Sequence, residues 1–119
     1  MIDSQSYDYS PSWMADTVVG MDRMWWCSNR IGGGEPPGEG DVIKYAFSLP
    51  GSGTWSTPQV VLAPNMSGWE GVCVCDPSVV RGQFFYNGHT YALAMYYTTS
   101  PNCATDNKIG VAFSDNGVN

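Results

Sequence analysis

The two halves of this 119-residue chain resemble each other, and this internal repeat restricts the possible folds more than any other feature. Each half opens with an aspartate, Asp16 or Asp76, followed closely by a Val-Val pair. Each half closes with a similar segment, VIKYAFS ending at Ser48 and KIGVAFS ending at Ser114. The two aspartates are 60 residues apart and the two serines are 66 apart. We therefore predict a single domain, 1–119, with repeat units over about residues 13–62 and 73–119.

Composition and turn signals predict that both units are built from strands. Short runs rich in valine and aromatic residues alternate with turns, and such side chains pack well on a pleated surface. Asn87-Gly88 is a typical two-residue hairpin turn, and the glycine- and proline-rich segment 32–40 suits neither a helix nor a central strand. No amphipathic helix is evident. The predicted strands cover residues 17–19, 23–28, 41–48, 59–62, 78–81, 83–86, 90–97 and 108–114.

A repeat of three or four antiparallel strands has the size of a β-propeller blade. We therefore expect an all-β fold of two propeller-like blades, which together form an incomplete propeller. A two-sheet sandwich with halves that are similar by chance is the alternative.

Charge and hydropathy narrow the classes of partner. The chain has 11 acidic and 5 basic side chains, and its net charge of −6 argues against nucleic-acid binding and against docking on an anionic membrane. No apolar run approaches the ~20 residues that span a bilayer. The N-terminus shows no signal peptide, so a cytoplasmic protein and a processed secreted form both remain open.

The four cysteines, Cys27, Cys73, Cys75 and Cys103, allow two interpretations. Their even number permits two disulfides in an oxidising compartment, whereas the lack of a visible signal peptide favours four reduced, partly buried thiols. Cys73 and Cys75 are separated by one residue, which is not the spacing of a zinc knuckle. We expect no metal and no cofactor.

Several segments of the chain resemble, in order, those of the five-bladed β-propeller glycosidases. In the second half they are DPSVV at 76–80, GHTY at 88–91, MYYT at 95–98 and NKIGVAFSDNG at 107–117. In the first half the matching segment runs from Gly40 to Trp55. The group comprises glycoside hydrolase family 43 and its relatives, including the family 32 fructosidases, and the resemblance covers most of residues 13–119.

This resemblance implies a sugar site at one end of the propeller axis. In such enzymes one aspartate acts as general base or nucleophile, a second orients the system, and a glutamate is the general acid. By position, Asp16 resembles the first aspartate and Asp76 the second, although Thr17 rather than proline follows Asp16. For both aspartates the alternative is a purely structural role. Trp13 and Trp69, which precede them, are the expected substrate-binding aromatics.

No glutamate holds the place of the general acid. Glu35 and Glu39 lie in the glycine-rich loop, and Glu70 lies in the connector between the units. We therefore expect a carbohydrate-binding or glycosidase-like protein that lacks complete hydrolytic machinery in one chain. Two blades cannot close a ring and would leave unpaired edges, so we also expect a homo-oligomer. The alternative is a non-catalytic oligomeric interaction protein built from truncated propeller blades.

Overall fold

The computed structural model describes residues 8–29, 40–65 and 68–119, and it confirms the all-β prediction. Within these ranges there is no helix, and so none that is long and apolar enough to cross a membrane. The seven strands are β1 (Asp8–Asp16), β2 (Met21–Asn29), β3 (Asp41–Ser48), β4 (Gln59–Leu62), β5 (Cys73–Tyr86), β6 (His89–Ser100) and β7 (Lys108–Ser114). They form two antiparallel sheets, which are not closed into a barrel.

Each sheet is a meander in which strands that follow one another in sequence are hydrogen-bonded neighbours. Sheet A has the order β1-β2-β3-β4, and sheet B has the order β5-β6-β7. The predicted bounds of β3, β4 and β7 are confirmed, as is the hairpin turn at Asn87-Gly88, where both residues have positive φ. The predicted glycine-rich loop lies, except for Gly40, outside the described residues.

The predicted strand at 17–19 is wrong, because these residues form the turn between β1 and β2. Gly20 adopts φ 71°, and its N–H donates to the Asp16 carbonyl at 2.8 Å, which closes the turn. The strand that precedes this turn, β1, is missing from the sequence prediction. Because β1 contains several polar residues and Pro11, its sequence lacks the run of valine and aromatic residues that marks the other strands. Its pairing with β2 is interrupted between Tyr9 and Ser12.

The two sheets pack face to face, with β1 running beside β5. Three side chains of β1 hydrogen-bond to β5 in ascending order along both strands, so the two strands run in the same direction. The buried core between the sheets consists of Trp25, Ile43 and Tyr45 from sheet A and Val74 and Tyr97 from sheet B. Burial of these large apolar side chains is the main force that holds the sheets together.

Two disulfides connect the cysteines, so the expectation of four reduced thiols is wrong. Cys27 of β2 is bonded to Cys75 of β5, which links the two sheets. Cys73 is bonded to Cys103, which ties β5 to the loop between β6 and β7. Sequence spacing alone could not show that these sulfurs meet, because both contacts depend on how the sheets pack. Disulfides of this kind are typical of proteins from oxidising compartments.

Candidate functional site

A polar pocket of about 110 Å³ opens beside Asp76, at the end of the sheets where β5 begins. The lining residues with polar side chains are Tyr9, Asp41, Asp76, Thr98, Thr99, Ser100 and Asn107. Both disulfides border the pocket through Cys73, Cys75 and Cys103, so its walls are covalently fixed. Two carboxylates and several hydroxyl or amide groups therefore face a small common space.

Asp76 occupies a β-bulge that directs its carboxylate away from the strand ladder. The pairing of β5 with β6 shifts between Cys75 and Ser78, and Asp76 has φ 50°. Pro77 lacks an N–H and so favours a bulge, while aspartate tolerates the left-handed conformation better than most residues. The exposed carboxylate accepts one hydrogen bond from Ser10 Oγ and one from Thr98 Oγ1, each at 2.7 Å.

The residue equivalent to Asp76 in the first repeat unit is Ser10, and the predicted equivalence of Asp16 with Asp76 is wrong. Ser10 has φ 51°, precedes a proline, and lies in a bulge between Tyr9 and Ser12. Ser10 and Asp76 are 66 residues apart, which is also the separation of Ser48 and Ser114. The motifs SPS at 10–12 and DPS at 76–78, taken with this constant offset, were the signal that could have identified the pair.

Asp16 lies at the opposite end of β1 in a buried ion cluster. Its side chain is fully buried; Oδ2 accepts hydrogen bonds from Arg23 Nη1 at 3.0 Å and from Arg81 Nη2. Burial raises the pKa of the Asp16 carboxyl, but the hydrogen bond and positive charge of Arg81 and the charge of Arg23 outweigh it, so the pKa is lowered. This arrangement stabilises an ionised aspartate and joins the two sheets.

The structure does not bring Asp16 and Asp76 together. Asp76 is bound to Ser10, and Asp16 lies six residues further along β1. At about 3.3 Å per residue this separates the carboxylates by roughly 15 to 20 Å, well beyond the 5 to 10 Å of a glycosidase pair. The second carboxylate of the pocket is instead Asp41, at the start of β3.

Asp41 is the pocket carboxylate that sequence reasoning missed. It is buried, its Oδ2 accepts a hydrogen bond from Tyr9 Oη at 2.5 Å, and its backbone N–H points at Cys73 Sγ, 3.3 Å away. The position resembled an ordinary strand start after a glycine-rich segment. Its place in the same pocket as Asp76 depends on the packing of the two sheets, which no local pattern encodes.

The two tryptophans expected to bind sugar lie away from this pocket. Trp13 is 61% exposed on β1, opposite Met24, and Trp69 is 55% exposed in the connector between the sheets. Neither lines the polar pocket. Their exposure leaves them accessible to a partner, but the structure brings neither of them to Asp76.

Glu70, the one glutamate within the ranges that the structure describes, is engaged in fixing the connector. Its carboxylate accepts hydrogen bonds from Tyr97 Oη at 2.6 Å and from the Asn65 N–H at 3.0 Å. Burial, together with the hydrogen bond and negative charge of Glu70, raises the pKa of Tyr97 far above its usual range. Glu35 and Glu39 lie outside the described residues.

Three potential metal ligands, Cys27, Asp41 and Cys75, meet within 4.8 Å. The two sulfurs are bonded to each other, so neither is a thiolate that could bind a metal ion. In this oxidised state the group supplies one carboxylate and no metal site.

Comparison with family models, with curated proteins and with solved structures finds no match to this chain. The geometry of the pocket and the resemblance in sequence segments are therefore the basis for a functional proposal.

Proposed function

We propose that this chain binds a carbohydrate in the polar pocket beside Asp76 and that it does not hydrolyse it alone. The observation that supports this most is the placement of Asp76, whose exposed carboxylate is oriented by Ser10 and Thr98 and shares a pocket with Asp41. Each carboxylate oxygen has a further lone pair, so Asp76 retains capacity to accept hydrogen bonds from sugar hydroxyls. Asn107 offers an amide on the same pocket.

The size of the pocket limits the affinity and the ligand. At about 110 Å³ it is smaller than the 300 to 1,000 Å³ of usual ligand sites, so it takes part of one terminal sugar ring. With few apolar contacts inside the pocket, we expect weak binding, with a Kd of about a millimolar, which corresponds to roughly −4 kcal/mol.

Hydrolysis needs an acid with a raised pKa near the leaving oxygen, besides the carboxylate that supports the transition state. Glu70 is bound to Tyr97 and Asn65, and Asp16 is bound to two arginines. Neither group is free to approach a sugar at Asp76. Asp41, the second carboxylate of the pocket, is buried and accepts a hydrogen bond from Tyr9 Oη. With Asp16, Asp41 and Glu70 all engaged within the protein, binding without turnover is the function that we propose.

A titration followed by NMR tests the proposal. Xylose, arabinose, glucose, galactose, fructose and short oligomers of each are added to the uniformly labelled protein, and the amide shifts of Ser10, Asp76 and Thr98 are followed. Asp76→Asn keeps the side-chain shape and the tolerance of positive φ but removes the charge, so we expect it to weaken binding by about tenfold.

The matched control is Asp115→Asn, which removes an exposed aspartate whose carboxylate contacts His89 at 2.8 Å. We expect unchanged sugar affinity in this variant. If no sugar in the panel shifts the pocket amides, or if Asp76→Asn binds as tightly as the wild type, sugar binding at this pocket is refuted.

The second candidate function is a non-catalytic interaction protein. Large apolar side chains are exposed on sheet B, among them Tyr96, Ile109 and Val111. A contiguous apolar surface of this kind typically marks a site of protein association. The polar pocket and this surface use different side chains but adjoin each other, because Thr98 of the pocket pairs with Ile109.

A further inference from the structure

The outer face of sheet B, defined by Val80, Tyr96, Ile109 and Val111, is apolar and uncovered. These side chains are 41%, 45%, 76% and 44% exposed, respectively. Tyr96 pairs directly with Val111, and Ile109 is two residues from Val111 on the same side of β7. Val80 pairs with Ala94, which is two residues from Tyr96 on the same side of β6, and Ser78 and Thr98 are the polar residues beside this set. Isolated exposed apolar residues are common, but a continuous set across three strands needs an explanation.

The repeat shows what covers the equivalent face in sheet A. Residues that pair with one another across neighbouring strands form a row. One such row in sheet A is Ser12–Trp25–Tyr45, and the equivalent row in sheet B is Ser78–Tyr96–Val111. With the rows aligned in this way, the outer face of sheet B has four equivalents in sheet A. Val80, Tyr96, Ile109 and Val111 correspond, in that order, to Met14, Trp25, Ile43 and Tyr45. Those sheet A residues form the face that packs against sheet B, and three of them are core residues.

The correspondence also works in the opposite direction. The face that sheet B turns towards sheet A includes Val79, Met95, Tyr97 and Ala112. The same register positions in sheet A are Trp13, Met24, Trp26 and Ala46, which we call the outer face of sheet A.

The outer face of sheet A contains a groove that could receive protruding side chains. Met24, Trp26 and Ala46 line a groove of about 560 Å³, which is bordered by Trp55 and Pro58. Trp13 lies beside it and is exposed. The outer face of sheet B therefore protrudes with exposed apolar side chains. The groove on the outer face of sheet A has an exposed rim at Trp13 and Trp55, while Trp26 and Ala46 at its floor are only 8% and 2% exposed.

We propose that a second copy of this chain docks head to tail, with the outer face of its sheet A on the outer face of sheet B of the first copy. The contact would repeat, between copies, the sheet-on-sheet packing that already joins the two sheets within one chain. A second copy is the occupant because the chain itself carries both halves of this interface in matching register. The inference does not depend on sugar binding.

The proposed contact is heterologous, since the two faces differ. Such contacts give closed rings when the rotation between copies closes and open chains when it does not. Either way each copy offers two different faces, so blocking one face on a molecule leaves the other available. That asymmetry allows a test by complementary variants.

The test uses sedimentation velocity on the oxidised full chain at several concentrations. Ile109→Lys places a charge on the outer face of sheet B, and Trp13→Lys places one on the outer face of sheet A. Val18→Lys is the matched control, since Val18 is 70% exposed in the turn after β1 and lies on neither face. Far-UV circular dichroism checks folding, and Tyr96→Ser replaces Ile109→Lys if that variant is unfolded.

We expect the wild type and Val18→Lys to self-associate, and each face variant alone to associate at least about tenfold more weakly. A mixture of Ile109→Lys and Trp13→Lys should form a dimer and nothing larger, because it contains one intact pair of faces. A wild type that is monomeric at every concentration would overturn the proposal, as would a mixture that stays monomeric. Self-association of Trp13→Lys as strong as that of the wild type would also overturn it, since the contact would then not use the outer face of sheet A.

Discussion

Replacing Asp16 by asparagine should destabilise the fold by about 3 to 5 kcal/mol, the usual cost of breaking a buried ion pair. The side chain of Asp16 is fully buried, and that of Arg23 is only 5% exposed. Asparagine keeps the shape and can still accept the Val18 N–H, now 3.2 Å from Oδ1, but it leaves Arg23 and Arg81 without a counter-charge. Arg23 retains Tyr45 Oη and the Asn116 carbonyl as acceptors, so we expect the lower part of this range.

Urea unfolding followed by tryptophan fluorescence measures this loss, with Asp76→Asn as the matched control. Asp76 is exposed, so its replacement should change the free energy of unfolding by less than about 1 kcal/mol. If Asp16→Asn is as stable as the wild type within about 0.5 kcal/mol, the structural role of Asp16 is refuted. Loss of sugar binding without loss of stability would restore its assignment as a site residue.

The effect of Asp16 should also depend on pH. Its pKa is lower in the folded chain than in the unfolded chain, where it is about 4. The stabilisation is therefore fully present above about pH 4 and is lost as the pH falls through the folded-state pKa. Denaturation at a series of acidic pH values should show the wild type and Asp16→Asn converging. A stability difference that stays constant through the acidic range would contradict this explanation.

Two further variants test the packing of the sheets. Replacing Cys27 and Cys75 by alanine opens a loop of 48 residues, and the loop-entropy relation predicts that the free energy of unfolding falls by about 4 kcal/mol. Urea unfolding measures this loss. Unchanged stability would mean that the sheets hold together without the bridge. Gly110→Ala would place a Cβ 2.4 Å from Cζ of Tyr97, its cross-strand partner, and should cost about 1 to 3 kcal/mol; a thermal unfolding midpoint equal to that of the wild type would refute this contact.

Local patterns in the sequence were sufficient to predict most of the strands. Short runs rich in valine and aromatic residues, bounded by turn signals, identified β3, β4 and β7 with their observed bounds, and Asn87-Gly88 identified the hairpin. The polar strand β1 was not predicted, because its register with β2 and its position beside β5 come from long-range contacts. Strand propensity describes fit to a half-buried surface and says little about a polar edge strand.

The candidate site could be predicted only in part. Asp76 was identified from its proline neighbour, and the structure places it at a pocket. Asp16 was chosen for its 60-residue offset, whereas the structural offset is the 66 residues that separate Ser10 from Asp76. Asp41 could not be identified from the sequence, because its approach to the pocket requires β3 of one sheet to pack beside β5 of the other.

The most direct test of sugar binding beside Asp76 is a map of amide shifts on titration with the panel of sugars. Binding at the pocket predicts the largest shifts at Thr98, Asp76 and Ser10, with little change at Asp16 or Trp69. These shifts should be much reduced in Asp76→Asn. Large shifts around Asp16 or Trp69 with a silent pocket would contradict the assignment of Asp76 as the residue that contacts the ligand.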